Sequence, residues 1–278
     1  MKTKSIGLLI VALMSLSVAA CAQSRIEKTL PLEPGGQFVL QSDAGSVTVT
    51  GSSASGARIV ITSNRGDLQS LFNFNFESSD GVARVTARKK SFFQWFSSIN
   101  LHFDVTVPAQ TRVSIKTGGG SVKVSSLQGE QNLGTSGGSI VASEVRGDVV
   151  ARTSGGGITA NSLDGSLDAD TSGGSIHIVG LTGHVNAHTS GGSIQATLAR
   201  GNSQGGQLDT SGGSIRVSLD PKANLNIEAS TSGGSVSTDL PLRVQGKISH
   251  SSLHGTLGSG GPTLVLHTSG GSIHIASN

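Results

Sequence analysis

Asp164, Asp168 and Asp170 form the densest group of carboxylates in this 278-residue chain. Paired carboxylates are the usual machinery for cleaving a sugar chain. Such a pair needs one carboxyl that is buried, or flanked by a group that shifts its pKa. Nothing near these three supplies that group. Alternation along a strand puts Asp168 and Asp170 side by side on a solvated face, with Asp164 at the preceding turn. The expectation is a polar strand and turn, and no catalytic residue is assigned.

Histidine is the next candidate. His177, His184 and His188 fall where alternation turns them to solvent, His177 and His184 on opposite faces. His188 and His267 share a register, but three repeat steps, four or more coils, separate them along the chain. At ~4.8 Å per coil that is roughly 20 Å, whereas zinc–nitrogen bonds are ~2 Å. His250 and His254 are a loop pair without a third ligand. No metal site and no cofactor is expected. The serines lack His and acid partners at defined spacing. The recurring Thr-Ser-Gly-Gly lacks the Lys-[Ser/Thr] and the following helix of a phosphate loop.

A binding signature is concentrated in one segment. Seven of the eight phenylalanines and the sole tryptophan lie between Phe72 and Phe103. Phe72, Phe74 and Phe76 alternate, so their rings should share one strand face and pack inward. Lys89 and Lys90 then lead into Phe92, Phe93, Trp95 and Phe96 without alternation. Cations beside rings suit an interfacial membrane contact or a docking site for a partner. The competing expectation is a cover over an open end of the fold, where unpaired strand edges invite aggregation.

At the start, residues 1–21 read as an export signal: Lys2 and Lys4, an apolar run from Ile6 to Leu16, then Val18-Ala-Ala-Cys21. The run is too short to span a bilayer as a stable helix. Val-Ala-Ala-Cys resembles the lipobox of bacterial lipoproteins, in which the cysteine is acylated after cleavage. Cys21 is the only cysteine, so no internal disulfide can form. The other reading is ordinary cleavage at the small-x-small site Ala20-Cys21-Ala22.

The framework beneath these residues is a repeat. Thr-Ser-Gly-Gly-Ser-[Ile/Val] opens at Thr135, Thr171, Thr189, Thr210, Thr231 and Thr268, with variants at Thr117 and Thr153. The step is 18 residues from Thr117 to Thr189, then 21, 21 and 37. A fixed short period is the mark of a solenoid. Each unit divides into two nines, such as TSGGSIHIV and GLTGHVNAH, with apolar residues at Ile176, Ile178, Leu181, Val185 and Ala187. The pattern predicts an all-β chain: one elongated parallel β-solenoid of ~18-residue coils, two short strands per coil, joined at the TSGGSI turns. Glycine at the fourth place of each nine suits a corner with φ > 0 or a close pass between backbones. With 40 glycines and no i, i+3, i+4 spacing, a helical reading fails. A calcium-binding nonapeptide roll would need an Asp in every turn, which this chain lacks.

The expected organisation is a signal over residues 1–21, a linker over 22–37, and the solenoid over 38–278. An aromatic insertion occupies about 64–98, and the regular repeats run from 117 to 278. Thr135, Thr153, Thr171 and Thr189 should stack as a ladder of hydroxyls bonded from coil to coil.

Repeated TSGGS[I/V] turns, the strand Phe103-Asp-Val-Thr-Val-Pro108 before the array and the closing Gly258–Ile275 segment resemble the bacterial "toast-rack" putative adhesins, akin to the head GIN domains of autotransporter adhesins. The resemblance covers about Phe38 to Ala276. It implies a solenoid-like, non-catalytic envelope protein, an adhesin or a module of envelope-stress systems, and brings no catalytic residues with it.

Composition agrees with an exported protein and excludes other classes. The net charge of +3 falls by two when Lys2 and Lys4 leave with the signal, and only 13% of residues are charged, so nucleic acid is not an expected partner. Tyrosine is absent and aromatics are 3%, which argues against a lectin that stacks sugars on rings. The expected function is a non-enzymatic, adhesin-like binding or scaffolding lipoprotein. Its partners would be the membrane, through the lipid anchor, and an envelope protein or surface ligand. The location is the cell envelope, anchored to the outer membrane, or else secreted or periplasmic. An envelope stress-sensing module is the alternative, and a polysaccharide-active enzyme the remote one.

Overall fold

The computed structural model describes residues 24–64, 66, 68–90, 100–244 and 249–278. Its described strands form two sheets, of 12 and 13 strands, whose apolar faces meet in one continuous core. In the regular region each coil gives one strand to each sheet. Leu167–Thr171 lies in the second sheet, the Ser172–Ser175 turn crosses over, and Ile176–Leu181 lies in the first. Residues 18 apart are parallel neighbours: Thr135 beside Thr153, Thr171 and Thr189, and Ile140 beside Ile158, Ile176 and Ile194. The predicted two-strand solenoid coil is thus present.

Alternation explains the core only in part. Ile176 and Ile178 point inward at i and i+2, but Leu181 comes three residues later. It reaches the core because Gly180 takes φ 73°; Ser126, Glu144 and Ser162 do the same in earlier coils at 57°, 54° and 54°. Each left-handed residue lets Leu127, Val145 or Leu163 bury. Burying such a side chain contributes about 1.5–3 kcal/mol, which outweighs the ~1–2 kcal/mol of the strained residue.

The repeated threonines are buried and stacked, but their hydroxyls do not bond to one another. Thr171 Oγ1 donates to the Gly156 carbonyl one coil back at 2.8 Å and accepts the N–H of Gly174 at 3.4 Å. Thr135, Thr153 and Thr189 repeat the pattern. The hydroxyl is held by backbone because the turn brings a carbonyl and an N–H closer than the next threonine. The turn serines follow the same rule, Ser175 Oγ accepting the Ser193 N–H at 3.1 Å. We expect Thr171→Val to cost about 1–3 kcal/mol, since two backbone groups lose a partner. Thr171→Ser should lose much less, as read from denaturant midpoints.

At both ends the strand order departs from the sequence order. The coil of Gln37–Ser42 and Ser46–Ser52 sits inside the later coil of Val82–Lys89 and Leu101–Pro108. At the far end, the last coil, Thr263–Thr268 with Ile273–Ser277, lies between Gly206–Thr210/Ile215–Leu219 and Leu225–Thr231/Val236–Thr238. Three of the four outermost positions among the described strands go to antiparallel strands: Ser24–Leu30 on Ala57–Ser63, Phe72–Ser79 on Val82–Lys89, and Arg243–Val244 on Ser252–Leu257, which itself runs antiparallel to Leu225–Thr231; the fourth, Val236–Thr238, is parallel. These antiparallel strands cover what would otherwise be raw parallel edges.

Two expectations are corrected here. Residues 24–30, inside the span read as a linker, form an edge strand, because Pro31 and Pro34 fall just past its end and leave its pairing intact. Most of the described part of the aromatic "insertion" is sheet: Val82–Lys89 continues the parallel stack on Gln37–Ser42, with Ala83, Val85 and Ala87 in the core. Phe72 is fully buried and Phe74 and Phe76 partly so, all on one face.

Candidate functional site

The acidic group is tied into the surface. Asp168 accepts from Arg152 Nη2 at 2.6 Å and from Asn186 Nδ2 at 3.1 Å, and Asp164 accepts from Thr182 Oγ1 at 3.0 Å. These are bonds between neighbouring coils, and they give the carboxylates a structural role.

The histidines are closer than the repeat steps suggest. Because the last coil is inserted, His188, Asp209 and His267 are adjacent rungs, two inter-strand steps from end to end, not four or more coils. His188 Nδ1 lies 3.2 Å from Asp209 Oδ1, and His267 Nδ1 shares a hydrogen bond with Ser230 Oγ at 3.0 Å. Among the described residues, no group of three or more His, Cys, Asp and Glu side chains is placed to hold a metal ion.

Two surface carboxyls are held below the usual carboxylate range. Glu27 is lowered by hydrogen bonds from Arg25 and Arg58 on the first edge strands. Asp220 is lowered by the backbone N–H groups of Lys222 and Gly201, which it bonds in a turn. Both sit where the chain reverses or an edge must be held.

The expected contact segment is described in part. Cys21, Phe92, Phe93, Trp95 and Phe96 lie outside the described residues. Lys89 and Lys90 lie at the end of the Val82–Lys89 strand. The Lys89 N–H donates to Asp43, the Lys90 N–H to the Leu71 carbonyl at 2.9 Å, and Lys90 Nζ to the Gln69 carbonyl at 2.7 Å. Asn100, on the other side of residues 91–99, donates its N–H to Asn64 Oδ1 at 3.1 Å. Beside it Ser63 pairs with both Leu101 and Ser24.

The outer face of the second sheet carries a feature that repeat-reading did not single out. One outward position, followed strand by strand, holds Gln41, Lys116, Gly134, Arg152, Asp170 and His188. Gly134 interrupts this row of side chains, and a groove of about 490 Å³ opens over it. The signal was present in the alignment of repeats, where Leu133-Gly134-Thr135 stands opposite Ala151-Arg152-Thr153. It becomes a groove only when the neighbouring rungs are known.

Comparison with known proteins places the fold. Residues 77–276 match the model of the family described as Toastrack DUF4097. No curated protein is significantly similar in sequence. A crystal structure described as a putative adhesin from Bacteroides fragilis superposes with a TM-score of 0.53 at 13% identity, covering 91% of this chain and 97% of that one. Two proteins from Parabacteroides distasonis are more distant. One, a putative adhesin, has TM-score 0.33 at 9% identity over 90% and 97% of the two chains. The other, a putative lipid binding protein, has 0.36 at 12% over 91% and 96%. With the family model spanning most of its length and the same stacked sheets beneath it, this chain belongs to the Toastrack DUF4097 family.

Proposed function

We propose that the protein is a non-enzymatic, adhesin-like binding lipoprotein of the cell envelope, anchored through Cys21 to the outer membrane with its first-coil end toward the lipid. One observation carries this reading. The chain that follows residues 91–99 and the strand that follows Cys21 meet at a single corner: Ser24 pairs with Ser63, Ser63 with Leu101, and Asn100 bonds Asn64. Cys21 is three residues from Ser24, so at most about 10 Å of extended chain separates an acylated cysteine from that corner. Stable attachment takes two signals, an acyl chain plus a basic or aromatic contact. The lipidated cysteine and the cation-and-ring run from Lys89 to Phe96 would supply the two signals. The rest of the stack then projects away and presents its polar faces. Its fold, shared with a protein described as a putative adhesin, fits this reading.

Cys21→Ser should move the protein from the membrane to the soluble fraction, and a mature N-terminus at Gln23 would refute the anchor. Phe93→Ser with Trp95→Ser should keep the melting temperature while weakening binding to liposomes several-fold. Unfolding of that double variant would assign the rings to the core instead.

A further inference from the structure

We propose that the groove over Gly134 is a binding site for an acidic saccharide, with a sugar carboxylate held by Lys116. The proposal deepens the binding-module reading by naming a ligand class, and it does not depend on the membrane anchor.

One side chain is missing from the outward row. The outward row runs Gln41, Lys116, Gly134, Arg152, Asp170, and every rung but one carries a polar side chain. The backbone does not require glycine there. Gly134 is not among the residues with positive φ. A Cβ built on it would meet only the Ile115 carbonyl, at 3.7 Å, an ordinary contact. This separates it from the turn glycines Gly138, Gly156, Gly174 and Gly192, where a Cβ would collide with the preceding coil. A glycine inside a strand costs stability and often marks a place where a ligand approaches the backbone.

Charge points to an anion. Lys116 is exposed and, among the described residues, its ammonium has no hydrogen-bond or ion-pair partner. Arg152, on the opposite wall, is already engaged by Asp168. The groove therefore offers one uncommitted cation, with Asp170 at its far end. A single carboxylate suits that balance. A phosphate dianion or the closely spaced charges of a nucleic acid would be repelled by Asp170.

The remaining surface of the groove is polar. Ser114, Asn132, Ser136 and Ser154 also line the groove, and it contains no aromatic ring. Hydroxyls and an amide match the hydroxyls of a sugar, whereas an acyl chain would find little to cover it. A peptide strand would need free backbone groups, and these strands are paired on both sides. The row from Gln41 to Asp170 spans four inter-strand steps, about 19 Å, long enough for a short oligosaccharide. The absence of rings excludes recognition by stacking and leaves charge and hydrogen bonding to select the ligand.

The test is titration of the full mature protein with a short oligosaccharide bearing a single uronate residue, followed by calorimetry or NMR, beside its methyl ester and inorganic phosphate. Uronate should bind, and the ester and phosphate at least tenfold more weakly. Lys116→Gln and Gly134→Leu should each weaken uronate binding at least tenfold with the melting temperature unchanged or, for Gly134→Leu, raised. His267→Gln, several rungs away, should bind normally. Equal binding by folded Gly134→Leu overturns the proposal. So does equal affinity for phosphate, which would mean a simple anion site, and so does no uronate binding at all. In that last case, retention on membranes by the wild type leaves the anchored-module reading standing.

Discussion

Gly174→Ala is expected to lower the melting temperature steeply, while Gly173→Ala, one residue away, leaves it almost unchanged. A Cβ on Gly174 would overlap the Gly156 carbonyl of the preceding coil, and the same collision recurs from Gly138 to Gly120 and from Gly192 to Gly174. That obstacle is backbone, so no rotamer change relieves it, and the coils must separate locally. Overpacking of this kind costs about 3 kcal/mol or more, which for a domain of this size is roughly 6–12 °C. A Cβ on Gly173 meets only backbone atoms at 3.5 Å and beyond, which is ordinary contact. Gly174 is also absent from the positive-φ residues, so the effect measured is close approach and not backbone strain. Similar losses from both substitutions would show that the turns can open independently of the stack.

The second contrast is larger still. Ile176→Asp should unfold the protein or come close to it, whereas His177→Asp should shift stability by less than about 0.5 kcal/mol. Ile176 is 1% exposed, packed between the sheets with Ile158 and Ile194 beside it. A carboxylate there has neither water nor a cation, a penalty on the order of 4–5 kcal/mol or more. His177 points outward from the same strand and is only partly covered. Circular-dichroism melts of the two variants decide the register: equal losses would mean the assigned inward face is wrong.

Both contrasts rest on information legible in the chain. An 18-residue period names each residue's neighbour above and below, and spacing within the coil names the buried face. Two sheets, the TSGGSI turns, the burial of Ile176, Ile178 and Leu181, and the inward face of Phe72, Phe74 and Phe76 all followed from it. The glycine corner was legible as a choice between φ > 0 and a close pass. Coordinates were needed to choose, because both demands select the same residue. Gly174 turned out to be a close pass and Gly165, at the other corner, a residue at φ 154° that also lies against the preceding coil.

What the sequence determines by itself, then, is everything that repeats: a local period propagates its own pairing without reference to distant chain. What only the tertiary structure decides is where the period fails. Between Thr231 and Thr268 no spacing says which coil lies against which. The slot between Ile215–Leu219 and Val236–Thr238 is filled by Ile273–Ser277 because there Ile273 and Ile275 gain parallel neighbours on both sides and are wholly buried. That choice brings His267 next to Asp209. The first coils follow the same rule: the later strand Val82–Lys89 lies outside Gln37–Ser42, and Ser24, Ser63 and Leu101 meet at one corner. The groove over Gly134 likewise exists only through its neighbours, since a missing side chain is an opening only when the rungs on either side carry theirs.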